Sequence, residues 1–439
     1  MTAPDPSPVV AGSRPRSELG LALGVSGPLL VGIALLMVGN GLQGSLLALR
    51  ASIEGFGTTT TGVVMSAFYL GYLGGSLRAP RLVADVGHIR VFAALATIAS
   101  SAVLVHAVFV SPLSWAVIRL VTGMCLAGLY VVVESWLNDS ATNATRGSLM
   151  SIYMVVVTVG LAAGQLLLNV ADADGFELFV VTSVLFSMAL VAPALSVRSA
   201  PVIVEPARVR LVELWHVAPL GVLGSAVAGT SAGALFAMGV VYAQLVGLSV
   251  ASTSVFMLVA IIGGAVLQWP LGWLSDRVDR RGVMIAMGLG TAAVAAVGAA
   301  GPEGTALLAV SAGVGALSLP LYAIANAHLN DWIERDRIVA AGSRLVLANG
   351  VGAVLGPVSA SAAMDAVGPE GFFWFLGAVN GGLALYTVWR LTRRGRAPEA
   401  TRGNWAAIPP RASPLVATLS TEAVQPPAEH HADDPPSGS

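Results

Sequence analysis

Apolar runs of about 20 residues recur along this chain from Pro28 to Leu391, each long enough to cross a hydrocarbon core of ~30 Å as a helix. No feature constrains the fold more. In lipid no water is available to satisfy backbone N–H and C=O groups, so chain-spanning segments are helices. Twelve spans are predicted, at 27–50, 58–79, 91–110, 113–137, 147–170, 175–197, 216–246, 251–274, 283–300, 304–329, 338–365 and 370–391. Of the 439 residues 55% are hydrophobic and 11% charged, too few charges for a water-facing surface. The fold class is therefore all-α membrane protein with twelve transmembrane helices. The net charge of −1 gives no attraction for nucleic acid. The single cysteine, Cys125, lies in an apolar run and has no intrachain disulfide partner. The first run follows Arg14 and Arg16 but is too long for a signal-peptide core, and it reads as a retained first helix.

Every cation is an arginine. Arg14 and Arg16 precede span 1. Arg78, Arg81 and Arg90 surround loop 2–3, and Arg146 closes loop 4–5. Arg198, Arg208 and Arg210 lie in loop 6–7, and Arg277, Arg280 and Arg281 in loop 8–9. Arg335 and Arg337 lie in loop 10–11, and Arg390, Arg393, Arg394 and Arg396 open the tail. The alternate loops carry Glu54, Asp172, Asp174, Glu303 and Glu370, with Arg50 alone at a helix end. This asymmetry predicts both termini in the cytoplasm, in a multi-pass protein of the cell inner membrane. Residues 1–19 and 397–439, rich in Pro, Ala, Ser and Thr, are expected to be disordered. Residues 198–215 read as a cytoplasmic linker between six-helix bundles at 20–197 and 216–396.

The two halves echo each other at a shift of 192 residues: Gly123 meets Gly315, Leu129-Tyr130 meets Leu321-Tyr322, and Leu137-Asn138-Asp139 meets Leu329-Asn330-Asp331. Gly160 and Gly164 meet Gly352 and Gly356. Duplicated bundles with a site between them at the bilayer midplane form a transporter architecture.

Span 4 holds Arg119 and Glu134 inside a segment otherwise buried in lipid or protein. At 1.5 Å per residue they stand about 22 Å apart and cannot pair with each other. Arg119, Gly123, Tyr130 and Glu134 share one helix face, and the repeat puts Ser311, Gly315, Tyr322 and Asn326 on the matching face of span 10. A buried charge costs at least ~2.5–3.5 kcal/mol, so these stripes are expected to line a cavity. Glu134 is a candidate proton carrier; the alternative is a passive gate salt-bridged to Arg146 or Arg344. Arg119 is a candidate cavity charge, with a structural bond to helix carbonyls as its alternative. Arg344, in span 11, divides between a substrate role and an interhelical pair. Asn40, Gln43, Tyr242 and Gln268 are further cavity candidates, and Tyr69, Tyr72 and Tyr153 read as cavity walls or helix contacts. His106, His216 and His328 are isolated and expected to be structural. No metal cluster, cofactor motif or nucleophile–base grouping stands out, so the chain does not read as an enzyme.

Loop 8–9 reads Gly272-Trp-Leu-Ser-Asp276-Arg277-Val-Asp279-Arg280-Arg281. It resembles the G-x-L-a-D-r-x-G-r-r signature of the major facilitator superfamily, with Asp279 where glycine is usual. The equivalent stretch of loop 2–3 has Pro80 and Ala84 at the signature glycine and aspartate. Asp276 is expected to face the N-terminus of span 5 near Arg146 as part of a cytoplasmic gate with Arg277, Arg280 and Arg281. The alternative is a solvated charge run that sets topology. Arg119-Leu-Val-Thr-Gly123 resembles the R-x-x-x-G motif of the same superfamily. Gly352-Ala-Val-Leu-Gly356-Pro357 resembles its G-x-x-x-G-P antiporter motif, found here in span 11. Helix packing alone explains both this segment and Gly160-x-x-x-Gly164. Val133-Glu-Ser-Trp-Leu-Asn138, Arg146-Gly147, Tyr153-Met154, Gly164-Gln165 and Gly87-His-Ile-Arg90 resemble the YcaD-like group. The resemblance implies a secondary carrier that moves a small molecule by alternating access, expected to be proton-coupled and monomeric. The alternative is a non-transporting receptor or scaffold on the same fold.

Overall fold

The computed structural model describes residues 15–142, 145–195, 211–334, 337–393, Gly395 and Trp405. Its helices are α1 (Pro15–Ile53), α2 (Thr58–Val86), α3 (His88–Val108), α4 (Pro112–Ser140), α5 (Arg146–Leu166), α6 (Glu177–Ala194), α7 (Leu211–Val217) and α8 (Pro219–Leu245). Then follow α9 (Val250–Arg277), α10 (Arg280–Ala299), α11 (Gly304–Ser318), α12 (Leu321–Asn330), α13 (Ile338–Val367) and α14 (Gly371–Leu391). With α7 set aside and α11–α12 taken as one, these make twelve spans. Eleven have the length and hydropathy to cross a bilayer. The twelfth is α2, 29 residues long, whose terminal turns carry Arg78, Arg81 and Asp85. Twelve crossings put the start of α1 and the end of α14 on one face, here the terminal face; the opposite face is the distal face.

Three expectations are corrected. Residues 15–19, expected disordered, begin α1: Pro15 sits in a first turn, where its missing N–H has no helical partner to lose. Residues 211–217 of the expected linker form the short helix α7, and the seventh span starts at Pro219 rather than 216, again with proline in the first turn. Span 10 is not continuous. Helix α11 stops at Ser318 and α12 restarts at Leu321, because Pro320 has no N–H to donate and its ring crowds the preceding turn. The N–H groups of Ala323 and Ile324 both turn to the Pro320 carbonyl, at 3.1 and 3.4 Å. By contrast α13 runs unbroken through Pro357. Residues 1–14, 198–210, 397–404 and 406–439 lie outside the described residues.

The repeat seen in the sequence is a repeat of packing. Gly160 of α5 lies against the Ala34 carbonyl and Val38 amide of α1; Gly352 of α13 lies against the Ala226 carbonyl and Thr230 amide of α8. The same shift of 192 that carries Gly160 to Gly352 carries Ala34 to Ala226 and Val38 to Thr230. Gly164 and Gly356 repeat the relation one turn on, against Val38 and Thr230. Gly123 of α4 meets the Phe68 carbonyl of α2, and Gly315 of α11 meets the Ala260 carbonyl of α9. In lipid, helices associate by close packing of small residues, and these glycines let backbone touch backbone. The chain is two pseudo-symmetric six-helix bundles.

The bundles meet through α2 with α13, α5 with α9, and α1 with α8. Three polar contacts between them lie toward the distal face. The Thr59 amide donates to the Asp365 carboxylate at 3.2 Å, and the Ser66 hydroxyl donates to the Val354 carbonyl at 2.7 Å. Gly62 packs against Ser361 and the Pro357 carbonyl. Asn169, just past α5, donates to Ser254 of α9 at 3.1 Å.

Candidate functional site

Both charges of α4 are inside the protein rather than in lipid: Arg119 is 3% exposed and Glu134 0%. Arg119 stands about two turns from the distal start of α4. Its guanidinium lies 4.3 Å over the Phe68 ring of α2, a cation–π contact that partly replaces lost hydration. Close by, the Trp115 indole donates to the His106 carbonyl at 3.0 Å, and the His106 Nδ1–Ala102 carbonyl bond of 2.9 Å marks that histidine as structural.

Glu134 sits toward the terminal face. Its Oε1 accepts a 2.8 Å hydrogen bond from the Tyr153 hydroxyl of α5. Tyr322, of α12 in the other bundle, is within electrostatic reach of the same carboxylate. Between the two charges, Tyr130 meets Met37 of α1 through its hydroxyl at 2.6 Å and the Tyr72 ring of α2 at 5.9 Å.

Four more of the predicted polar residues are buried with atoms that lack partners. Asn40 and Gln43 of α1 are 3% and 1% exposed, Tyr322 and Asn326 of α12 are 3% and 4%. The Asn40 amide nitrogen, both Gln43 amide heteroatoms, the Tyr322 hydroxyl and the Asn326 amide oxygen have no hydrogen-bond partner among the described residues. Buried polar groups are almost always paired, so these atoms are available to a polar ligand or water. The break at Pro320 is what starts the short helix that carries Tyr322 and Asn326.

Tyr242 is placed elsewhere. It packs in a ring cluster with Phe256, Phe372 and Phe373, at centroid distances of 5.9, 5.4 and 4.9 Å, inside the second bundle. This is a core contact of α8 with α9 and α14. Gln268 and Arg344 are partly exposed on α9 and α13.

A small apolar cavity of about 30 Å³ lies between the bundles, lined by Phe68, Tyr69, Tyr72 and Leu73 of α2 and by Asn349 and Gly350 of α13. Phe68 and Tyr72 form its wall and also carry Arg119 and Tyr130 on the side of α4. Asn349 was not singled out in the sequence; the aromatic spacing Phe68-Tyr69-x-x-Tyr72 is the signal that marks this wall.

Of the residues assigned to the gate, Arg146 opens α5 in the first bundle, and Asp276, Arg277, Arg280 and Arg281 stand at the α9–α10 junction of the second. Arg280, 5% exposed, bridges Asp276 at 3.2 Å and Asp331 at 3.1 Å. Arg281 pairs with Asp279 at 2.8 Å, and the exposed Arg277 lies over the Trp273 ring at 3.8 Å. Asp276 does not pair with the start of α5: its other partner is the backbone N–H of Trp405, at 2.9 Å. Arg280, at the start of α10 just past the helix break after Arg277, is the cation that meets it. Asp331 is visible in the sequence through the repeated Leu-Asn-Asp. Trp405 is not, since it lies in a low-complexity tail.

Two duplicated bundles of membrane-spanning helices, with buried charges and unpartnered polar groups at their interface, define a multi-pass membrane transporter. The family model of the Major Facilitator Superfamily matches residues 29–267 and 221–426, and the chain belongs to that superfamily. Within it the chain falls with the YcaD-like transporters. It is 28% identical over 384 residues to the "Uncharacterized MFS-type transporter YcaD" of Escherichia coli (strain SE11), covering 84% of this chain and 96% of that protein. It is also 28% identical over 376 residues to an uncharacterized MFS-type transporter of Enterobacter sp. (strain 638), with the same coverage. Among solved structures, the nucleoside transporter NupG superposes with a TM-score of 0.69 at 15% identity, covering 83% of this chain and 98% of that one. An inward-facing, unoccupied bacterial homologue of the human lysosomal transporter Spinster superposes with a TM-score of 0.62 at 15% identity, covering 92% and 99%.

Proposed function

We propose that this chain is a secondary carrier that moves a small polar molecule across the inner membrane by alternating access, driven by protons through Glu134. The observation that carries the reading is the position of Glu134: wholly buried, hydrogen-bonded to Tyr153 of its own bundle and facing Tyr322 of the other. Burial disfavours the charged form of a carboxyl group in general, and water admitted as the bundles part favours it. Protonation and rocking are thereby coupled, because each state of the interface offers the carboxyl a different solvent.

The arginine bias assigns the terminal face to the cytoplasm, with both termini there. The distal contacts Thr59–Asp365, Ser66–Val354 and Asn169–Ser254 then close the periplasmic side. Substrate meets the unpartnered amides of Asn40 and Gln43 and the groups of Tyr322 and Asn326, with the aromatic wall of α2 taking its apolar parts. Arg344 and Gln268 stand at the edge of this path, and the domain ranges 20–197 and 216–396 are the moving bodies.

The test begins with a thermal-shift screen of small metabolites on purified protein. Binders are then added to proteoliposomes loaded with a pH-sensitive dye. Glu134→Gln is expected to abolish ligand-driven proton movement while ligand exchange across the membrane continues. Proton movement at the wild-type rate in that variant would remove Glu134 as the carrier.

A further inference from the structure

An open cleft on the terminal face is lined by the ends of four helices of the second bundle. The α7–α8 corner at 217–220 forms one wall, and Arg281 of α10, His328 of α12 and Arg390 of α14 stand around it with Trp332. No carboxylate lines the cleft among the described residues. Arg281 is balanced by Asp279 at 2.8 Å. Arg390 is half-buried and makes no ion pair among the described residues, so it brings uncompensated positive charge to the cleft. The first bundle does not repeat this lining: at the shift of 192 it has Ile89 in the place of Arg281 and Trp136 in the place of His328.

Beside Arg390, α14 turns an apolar strip outward. Leu385, Val388 and Trp389 are 68, 45 and 48% exposed, while Leu383, Ala384 and Thr387 on the opposite side are buried. The Arg393 guanidinium lies 5.8 Å from the Trp389 ring centroid. Tryptophan and arginine together at the end of a span mark the level of the lipid headgroups. Arg390 follows Trp389 directly, so the cleft lies at that level. A guanidinium half removed from water calls for an anion, and its planar fork of N–H donors matches phosphate oxygens. Leu385 is five residues before Arg390, about 7.5 Å along the helix towards the hydrocarbon. A phospholipid satisfies both surfaces at once, with phosphate on the arginine and acyl chains on the strip.

We infer that this cleft is a binding site for an anionic phospholipid, its headgroup phosphate held by Arg390 and its acyl chains laid along Leu385 and Val388 of α14. The site is separate from the buried polar groups assigned to substrate and from Glu134, and it stands independently of proton coupling. Its lining joins the α7–α8 corner, where the second bundle begins, to the last turn of α14, where that bundle ends. A lipid seated there ties the two ends of the bundle to one headgroup. Negative headgroup charge adds to the attraction, since each arginine near an anionic surface is worth about 1 kcal/mol, or about fivefold in binding.

The test uses full-length protein in detergent, titrated with phosphatidylglycerol or, separately, phosphatidylcholine, with bound lipid counted by native mass spectrometry. Wild-type protein is expected to retain phosphatidylglycerol in preference to phosphatidylcholine. Arg390→Gln is expected to weaken phosphatidylglycerol binding about fivefold and leave phosphatidylcholine binding unchanged. Arg390→Lys, which keeps the charge, should recover most of the loss. Arg78→Gln, at an exposed arginine on the terminal end of α2, is the comparison for surface charge at large. Equal retention by wild type and Arg390→Gln overturns the site, and so does an equal loss in Arg78→Gln. Displacement of the bound lipid by millimolar inorganic phosphate assigns the cleft to a free anion and overturns the lipid.

Discussion

At the scale of single residues, buried charge sets the terms. Arg280 and Asp331 are 5% and 3% exposed and 3.1 Å apart, with Asp276 sharing the arginine. Removing one partner of such a pair leaves the other uncompensated. Arg280→Ala is expected to destabilise the protein by about 3–5 kcal/mol. Replacing Arg280 with Met and Asp331 with Leu together should recover most of that loss, because the desolvation of both charges goes with them. Thermal unfolding in detergent reads both. Glu134 takes a hydrogen bond of 2.8 Å from the Tyr153 phenol. The residue types legible in the sequence as carrying charge into the membrane, Arg119 and Glu134, are buried, and neither lines the cavity beside Phe68 and Tyr72. Their partners Phe68 and Tyr153 were not legible, because they come from neighbouring helices whose faces the sequence of α4 does not determine.

At the scale of elements, glycine spacing and proline placement act in opposite directions. Glycine brings α5 onto α1 and α13 onto α8, each at backbone contact. Gly356→Val forces apart helices that touch at the Thr230 carbonyl, and is expected to lower stability by about 1–3 kcal/mol. The measurement is the monodisperse fraction by fluorescence-detected size exclusion after graded heating, with Gly382→Val, which meets nothing in this structure, as the neutral reference. Proline breaks α11 from α12 at Pro320 yet leaves α13 continuous at Pro357. The apolar run across residues 304–329 reads as one span because hydropathy does not register a missing N–H. The break follows from Pro320 when its lost hydrogen bond is counted.

At the scale of the whole molecule, two bundles can exchange one set of end contacts for another. The distal set is Thr59–Asp365, Ser66–Val354 and Asn169–Ser254. A disulfide between Thr59→Cys and Asp365→Cys, in a Cys125→Ala background, is expected to freeze the distal face closed. It should stop ligand-driven proton movement in proteoliposomes, with recovery on reduction. Turnover at the normal rate in cross-linked protein would count against rocking. On the terminal face Arg280 ties Asp276 to Asp331 inside the second bundle.

The sequence by itself determined the solvent, the helical class, the duplication and the direction of the charge bias. These follow from hydropathy, residue spacing and arginine placement, all of which are local or periodic along the chain. Only the tertiary structure decided what each buried polar group faces. It set Tyr153 on Glu134, left Gln43 and Tyr322 without partners, moved Tyr242 into an aromatic core, and laid Trp405 over Gly272. The physical reason is that a helix's sequence states which residues share a face, while the identity of the neighbour across that face depends on how distant segments pack.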